Sequence, residues 1–127
     1  MTATKLVAMG SSLMVQKSDR VKIPRLGDAV RGSKTGQPIM VLFDLIGRRW
    51  AMGILWNLSD QDCTFRELQA RCASLSPTVL NTRLKELRAA GLVEKSTDGY
   101  TLTDAGRALY DHLEPLGDWA EKWAQGL

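Results

Sequence analysis

Over positions 38–123 the apolar residues recur mostly at helical spacing, interrupted once by a short stretch that reads as strand. Pro38 opens the apolar run 39–45, which closes near Gly47; proline suits a first helical position, so the run predicts a helix over 38–46. Trp50, Ile54, Leu55 and Leu58 fall on one face and predict a second helix over 48–58, with Trp50 and Trp56 as packing anchors. Thr64-Phe65-Arg66-Glu67 fits the S/T-x-x-E capping box, and Phe65, Leu68 and Cys72 supply the inner stripe of a helix of about eight residues. Ala73-Ser74-Leu75 then forms a turn with Leu75 directed inward. Ser76-Pro77 reads as an N-cap and first-turn proline, Gly91 as a left-handed stop, and Leu80, Leu84 and Leu87 as the buried stripe between them. Leu92-Val93 and Tyr100-Thr101-Leu102 flank Thr97-Asp98-Gly99, and Asp-Gly between β-forming residues predicts a hairpin. Thr103 caps a last helix from Asp104, with an apolar stripe of Ala105, Leu109, Leu113 and Leu116 extended by Trp119, Ala120 and Trp123. Pro115 kinks or splits that helix by removing a backbone bond.

A short helix, a tight turn, a longer helix and a hairpin are the order of a winged helix-turn-helix, a mainly α fold with a small β-hairpin wing (α+β). Opposite its leucines the helix 76–90 carries Thr78, Asn81, Thr82, Lys85 and Ala89. Asn and Thr reach base edges and Lys reaches phosphate or guanine, so this helix is expected in the major groove of double-stranded DNA, with Ser76 and Pro77 at its leading end. Any solvated helix face carries such residues; the capping box, wing and flanking helices are what single this one out. Arg83 is read as a phosphate contact or as a brace to Glu67. Arg48 and Arg49 are read as phosphate contacts or as partners of a carboxylate. Lys95 sits beside the wing tip, where the hairpin either touches DNA or only covers the core edge.

With 127 residues, 44% hydrophobic, the chain has material for one core and no room for two. Its net charge of +3 is unevenly spread. Residues 1–36 hold Lys5, Lys17, Arg20, Lys22, Arg25, Arg31 and Lys34 against Asp19 and Asp28, whereas residues 37–127 are slightly acidic. The expected organisation is therefore a basic, flexible extension over 1–36 and a DNA-binding and dimerisation domain over 37–127. The extension is read as an arm along a DNA groove, a tail packed on a partner, or sequence ahead of a later start at Met9 or Met14. No apolar run approaches the ~20 residues of a transmembrane helix, and 6–15 is too short and interrupted for a signal peptide, so a cytoplasmic protein is expected. Catalysis finds little support: the single His112 lies on a polar helix side, and Cys63 and Cys72 lack metal-ligand spacing. Neither a cofactor nor a metal is expected. Cys72 is read as a small core residue and Cys63 as an exposed, oxidisable candidate.

The run Ile46-Gly47-Arg48-Arg49-Trp50, with Ile54-Leu55, Phe65, Glu67-Leu68, Leu75-Ser76, Val79-Leu80, Arg83-Leu84, Leu87, Gly91-Leu92-Val93, Tyr100, Leu102-Thr103 and Gly106, resembles the HxlR-type transcriptional regulators. These are winged-helix relatives of the MarR regulators. The resemblance implies a bacterial, homodimeric repressor or activator that pairs through its terminal helices and reads a palindromic operator. Leu42, Leu113, Leu116, Trp119 and Trp123 are the residues expected at the dimer interface. Two departures stand out. The wing is shorter than is usual in the family, and the place where some members carry a sensing cysteine reads Gln37-Pro38-Ile39. Two other readings stay open: a winged helix used only to bind proteins, which the acidic balance of residues 37–127 favours, and a regulator responsive to oxidants or to an effector of unknown identity.

Overall fold

The computed structural model describes residues 21–127, so the part of the basic extension over 1–20 lies outside the described residues. The element order is α1 (Pro38–Ile46), α2 (Ala51–Asp60), α3 (Phe65–Arg71), α4 (Pro77–Ala89), β1 (Val93–Lys95), β2 (Tyr100–Leu102), α5 (Asp104–Leu113) and α6 (Pro115–Gln125). One hydrophobic cluster holds them together. Ile54, Leu55 and Leu58 of α2, Leu68 of α3, Leu80, Leu84 and Leu87 of α4, and Val93 and Leu102 of the hairpin all lie within it.

The helix ends follow the capping residues. Thr64 Oγ1 accepts from the Glu67 amide at 3.1 Å, and Glu67 Oε1 accepts from the Thr64 amide at 2.8 Å, which completes the capping box. Ser76 and Thr103 accept in the same way from the Val79 and Gly106 amides. Gly91, at φ 79°, supplies the left-handed turn after α4. Pro115 splits the last helix in two: Glu114 keeps helical angles and its amide reaches the Tyr110 carbonyl at 2.8 Å, but proline then begins α6 without an amide to donate.

Several expectations are corrected. The second helix begins at Ala51 rather than at 48, because Trp50 adopts a left-handed φ of 73° and a turn precedes it. Trp56 is 44% exposed; it packs edge-on against Tyr110, with ring centroids 5.3 Å apart, instead of anchoring the core. Ala105 is exposed, and only Leu109 and Leu113 of the α5 stripe reach the core. Cys63 is buried, not exposed: it lies beside β2, its carbonyl accepting from the Tyr100 amide at 2.8 Å. Gly99 does not have the positive φ that an Asp-Gly hairpin turn suggests. Glycine is required there because a Cβ would collide with the Cys63 carbonyl.

Residues 21–36 contact α1 and the turn after it: Pro24 is buried, Arg31 Nε lies 2.6 Å from Asp44 Oδ1 on α1, and Arg48 Nη1 donates to the Lys22 carbonyl at 3.4 Å.

Candidate nucleic-acid interface

The helix-turn-helix is fixed locally before it is fixed by packing. Ala73 and Ser74 both take left-handed angles, φ 58° and 56°, turning the chain sharply between α3 and α4. Gln69 Nε2 donates to the Leu75 carbonyl at 2.9 Å and closes that turn. α4 then buries Leu80, Leu84 and Leu87 and leaves Thr78, Asn81, Thr82, Lys85 and Ala89 exposed together. Its one carboxylate, Glu86, is turned inward and is only 7% exposed. The outward face of α4 is therefore short-chained, hydrogen-bonding and cationic, without an acidic group to repel phosphate.

The candidate residues divide by what already holds them. Ser76 is occupied as the N-cap, and Thr82 Oγ1 donates back to the Thr78 carbonyl at 2.9 Å. Pro77, Thr78, Asn81 and Lys85 are exposed, and among the described residues the side chains of Thr78, Asn81 and Lys85 make no hydrogen bond or ion pair. Arg83 braces a carboxylate, but the partner is Glu86 at 2.6 Å and not Glu67, which the capping box occupies. Arg83 Nε also donates to the Arg49 carbonyl at 2.8 Å. Arg48 pairs with Glu86 at 2.8 Å, so of its two readings the structure adopts the carboxylate pair. Arg49 presents an exposed side chain at the turn before α2. Lys95 is exposed on the wing, with its ammonium 5.4 Å from the centre of the Tyr100 ring directly across the hairpin. Glu94 and Asp98, both exposed on the same hairpin, outweigh that one cation.

The expected dimer residues divide likewise. Leu42 and Leu113 are half-buried against the core. Leu116, Trp119 and Trp123 are 53%, 60% and 56% exposed, and the two indoles stack 5.8 Å apart at 14°. No residue of α6 is buried. Ile39 and Phe43, which the periodicity placed in an undifferentiated apolar run, are exposed one turn apart on α1. That helix carries more apolar residues than one core-facing stripe needs, which is the signal that marks them.

Both thiols are buried within the core and are free. Burial pushes each of their pKa values up, against a smaller opposing pull on Cys63 from Arg71. Among the described residues no group of His, Cys, Asp and Glu side chains is arranged to hold a metal, and no helix is long and apolar enough to cross a membrane.

Known proteins with this sequence pattern and arrangement are regulators. A relative from Bacillus subtilis, the uncharacterised HTH-type transcriptional regulator YvaP, is 34% identical over 87 residues, spanning 63% of this chain and 81% of that one. The quinone-bound structure of YodB from B. subtilis superposes with a TM-score of 0.62 at 33% identity, covering 66% of this chain and 96% of that one. A possible HxlR family transcriptional factor from Thermoplasma volcanium gives 0.62 at 26% identity, covering 70% and 86% respectively. The family profile described as HxlR-like helix-turn-helix matches residues 45–126. With this match over most of its length, spanning the capped helix pair, the outward polar helix and the hairpin wing, the chain belongs to the HxlR-like helix-turn-helix family of transcriptional regulators.

Proposed function

We propose that this regulator acts as a homodimer, with α4 of each copy in a major groove and the two copies reading one palindromic operator. The observation that carries the reading is the two-sidedness of α4: three leucines bind it to the core while Thr78, Asn81 and Lys85 face outward without internal partners among the described residues. Asn81 and Thr78 are the groups offered to base edges, and Lys85 to phosphate or guanine. Arg49 is offered to the backbone beside them. Affinity then comes largely from phosphate neutralisation and falls steeply with salt. Pairing through α6 is supported by the exposure of Leu116, Trp119 and Trp123, which form an apolar surface left uncovered by the described residues. Leu42 and Leu113 are given no more than flanking parts. The protein acts where bacterial DNA lies, in the cytoplasm.

YodB has been solved with a quinone, so an effector is a fair question for this chain. An exposed sensing cysteine does not fit it, because both of its cysteines are buried free thiols with raised pKa values. The test of the main reading is a gel shift on the DNA upstream of the chain's own gene. Asn81→Ala and Lys85→Ala each weaken binding while circular dichroism shows the fold retained; unchanged affinity in both variants removes α4 as the reader.

A further inference from the structure

Glu86 is the one charged residue buried in the described structure, and the capping and packing of α4 do not account for it. Its two oxygens serve two different elements. Oε1 accepts from Arg83 one turn earlier on α4, and Oε2 accepts from Arg48 in the turn between α1 and α2. Arg83 then donates its Nε to the Arg49 carbonyl at 2.8 Å, so the carboxylate holds that turn by two routes. The backbone there is under strain: Trp50, a bulky non-glycine residue, sits at φ 73° immediately after Arg49. Such a conformation persists where surrounding contacts over-determine it, and the Glu86 pairs are contacts of that kind.

Placement gives the arrangement its purpose. At about 100° per residue, Glu86 lies about 40° round α4 from Thr82, on the flank between the polar face and the core, and Arg83 lies about 60° further round. The turn docked on that flank is therefore beside the edge of the outward face. The Arg49 side chain is exposed, while its own carbonyl is clamped to this flank by Arg83. We infer that Glu86, acting through Arg83 and Arg48, is a positioning residue that sets Arg49 beside α4 so that its guanidinium meets a DNA phosphate. The inference rests on the reading of α4 as the DNA-binding helix. A buried carboxylate bridging two arginines contributes little net stability compared with an apolar replacement, which fits a role in fixing geometry.

The full chain is titrated against a labelled random-sequence duplex of about three helical turns, over a range of salt. Arg49→Ala weakens binding about tenfold and reduces the salt slope by about one. In the Glu86→Gln background, Arg49→Ala costs less than about twofold more, because Arg49 is already misplaced. Arg83→Lys is the second background: it keeps the charge beside Glu86 but gives up the planar fork that joins Glu86 to the Arg49 carbonyl, and the same loss of effect is expected. If Glu86→Gln fails to fold by circular dichroism, Arg83→Lys decides. Full additivity in the folded backgrounds overturns the positioning role, and so does an Arg49→Ala variant with wild-type affinity and salt slope. Lys85→Ala is carried in parallel and weakens binding in every background. Should Lys85→Ala bind like wild type while the Arg49 effect remains, the assignment of α4 fails and the inference with it, an outcome distinct from additivity.

Discussion

Leu84 is fully buried in the middle of the α4 stripe, so Leu84→Ala leaves a cavity that its neighbours only partly fill. Urea denaturation should show a loss of about 2–5 kcal/mol; a loss below about 1 kcal/mol would contradict its place in the core. The thiols give a prediction with a defined sign. Burial raises both pKa values above the ordinary 9.0, so the folded state holds these protons more tightly than the unfolded chain. Their contribution to stability is complete below pH 9.0 and is lost as pH rises beyond it through the raised values. Accordingly, iodoacetamide at pH 8 should modify both cysteines far more slowly in the native protein than in urea; equal rates would show that Cys63 is exposed after all. Residues that act on neighbours in sequence were legible in this way: Thr64, Glu67, Ser76 and Thr103 cap as their spacing predicts. Cys63 was not, because a bridge to Tyr100, far along the chain, buries it. The inward turn of Glu86 was equally hidden, although Arg83 three residues earlier was a signal for it.

Among the elements, α4 carries the proposed DNA contacts. Asn81→Ala and Lys85→Ala should each cost about 1–3 kcal/mol in DNA binding, with Tm unchanged because both side chains are exposed. Removing the cap of its partner helix acts on stability instead: Thr64→Ala loses an accepted bond at the start of α3 and should cost about 1 kcal/mol, read in the same urea titration. A urea midpoint that does not move would mean the capping box is idle in solution. Periodicity located α1 to α4 and read α5 and α6 as one helix kinked or split at Pro115, while the Asp-Gly turn located the hairpin; α1 to α5 each bury residues toward a common core, and α6 buries none. It missed where α2 starts. The apolar pattern continues back to Trp50, but the Arg48–Glu86 pair and the bond from Arg83 to the Arg49 carbonyl tie residues 48–49 to α4, and Trp50 takes a left-handed φ instead of helical angles. The reason for Gly99 was missed on the same grounds: the constraint is the Cys63 backbone and not the turn.

For the whole molecule, the exposed apolar surface of α6 is the feature that the proposed pairing would cover. A helix with no buried residue and two stacked, exposed indoles is poorly suited to standing alone in water. Sedimentation equilibrium should give a dimer at micromolar concentration, and Trp119→Ala with Trp123→Ala should shift it toward monomer without unfolding α1–α5. A wild-type monomer would contradict pairing through α6. The distribution of charge also reads differently at this scale: four of the extension's basic residues, Lys22, Arg25, Arg31 and Lys34, belong to a segment that contacts the domain, and Arg31 is paired with Asp44. What α4 offers to DNA is therefore best tested on the protein's own target. Hydroxyl-radical footprinting across the DNA upstream of its gene should show two protected patches with dyad symmetry, about one helical turn or a multiple of it apart, that fade with salt and with Lys85→Ala. Protection that is unchanged in Asn81→Ala and Lys85→Ala, or no salt-sensitive association with any duplex, would contradict the account.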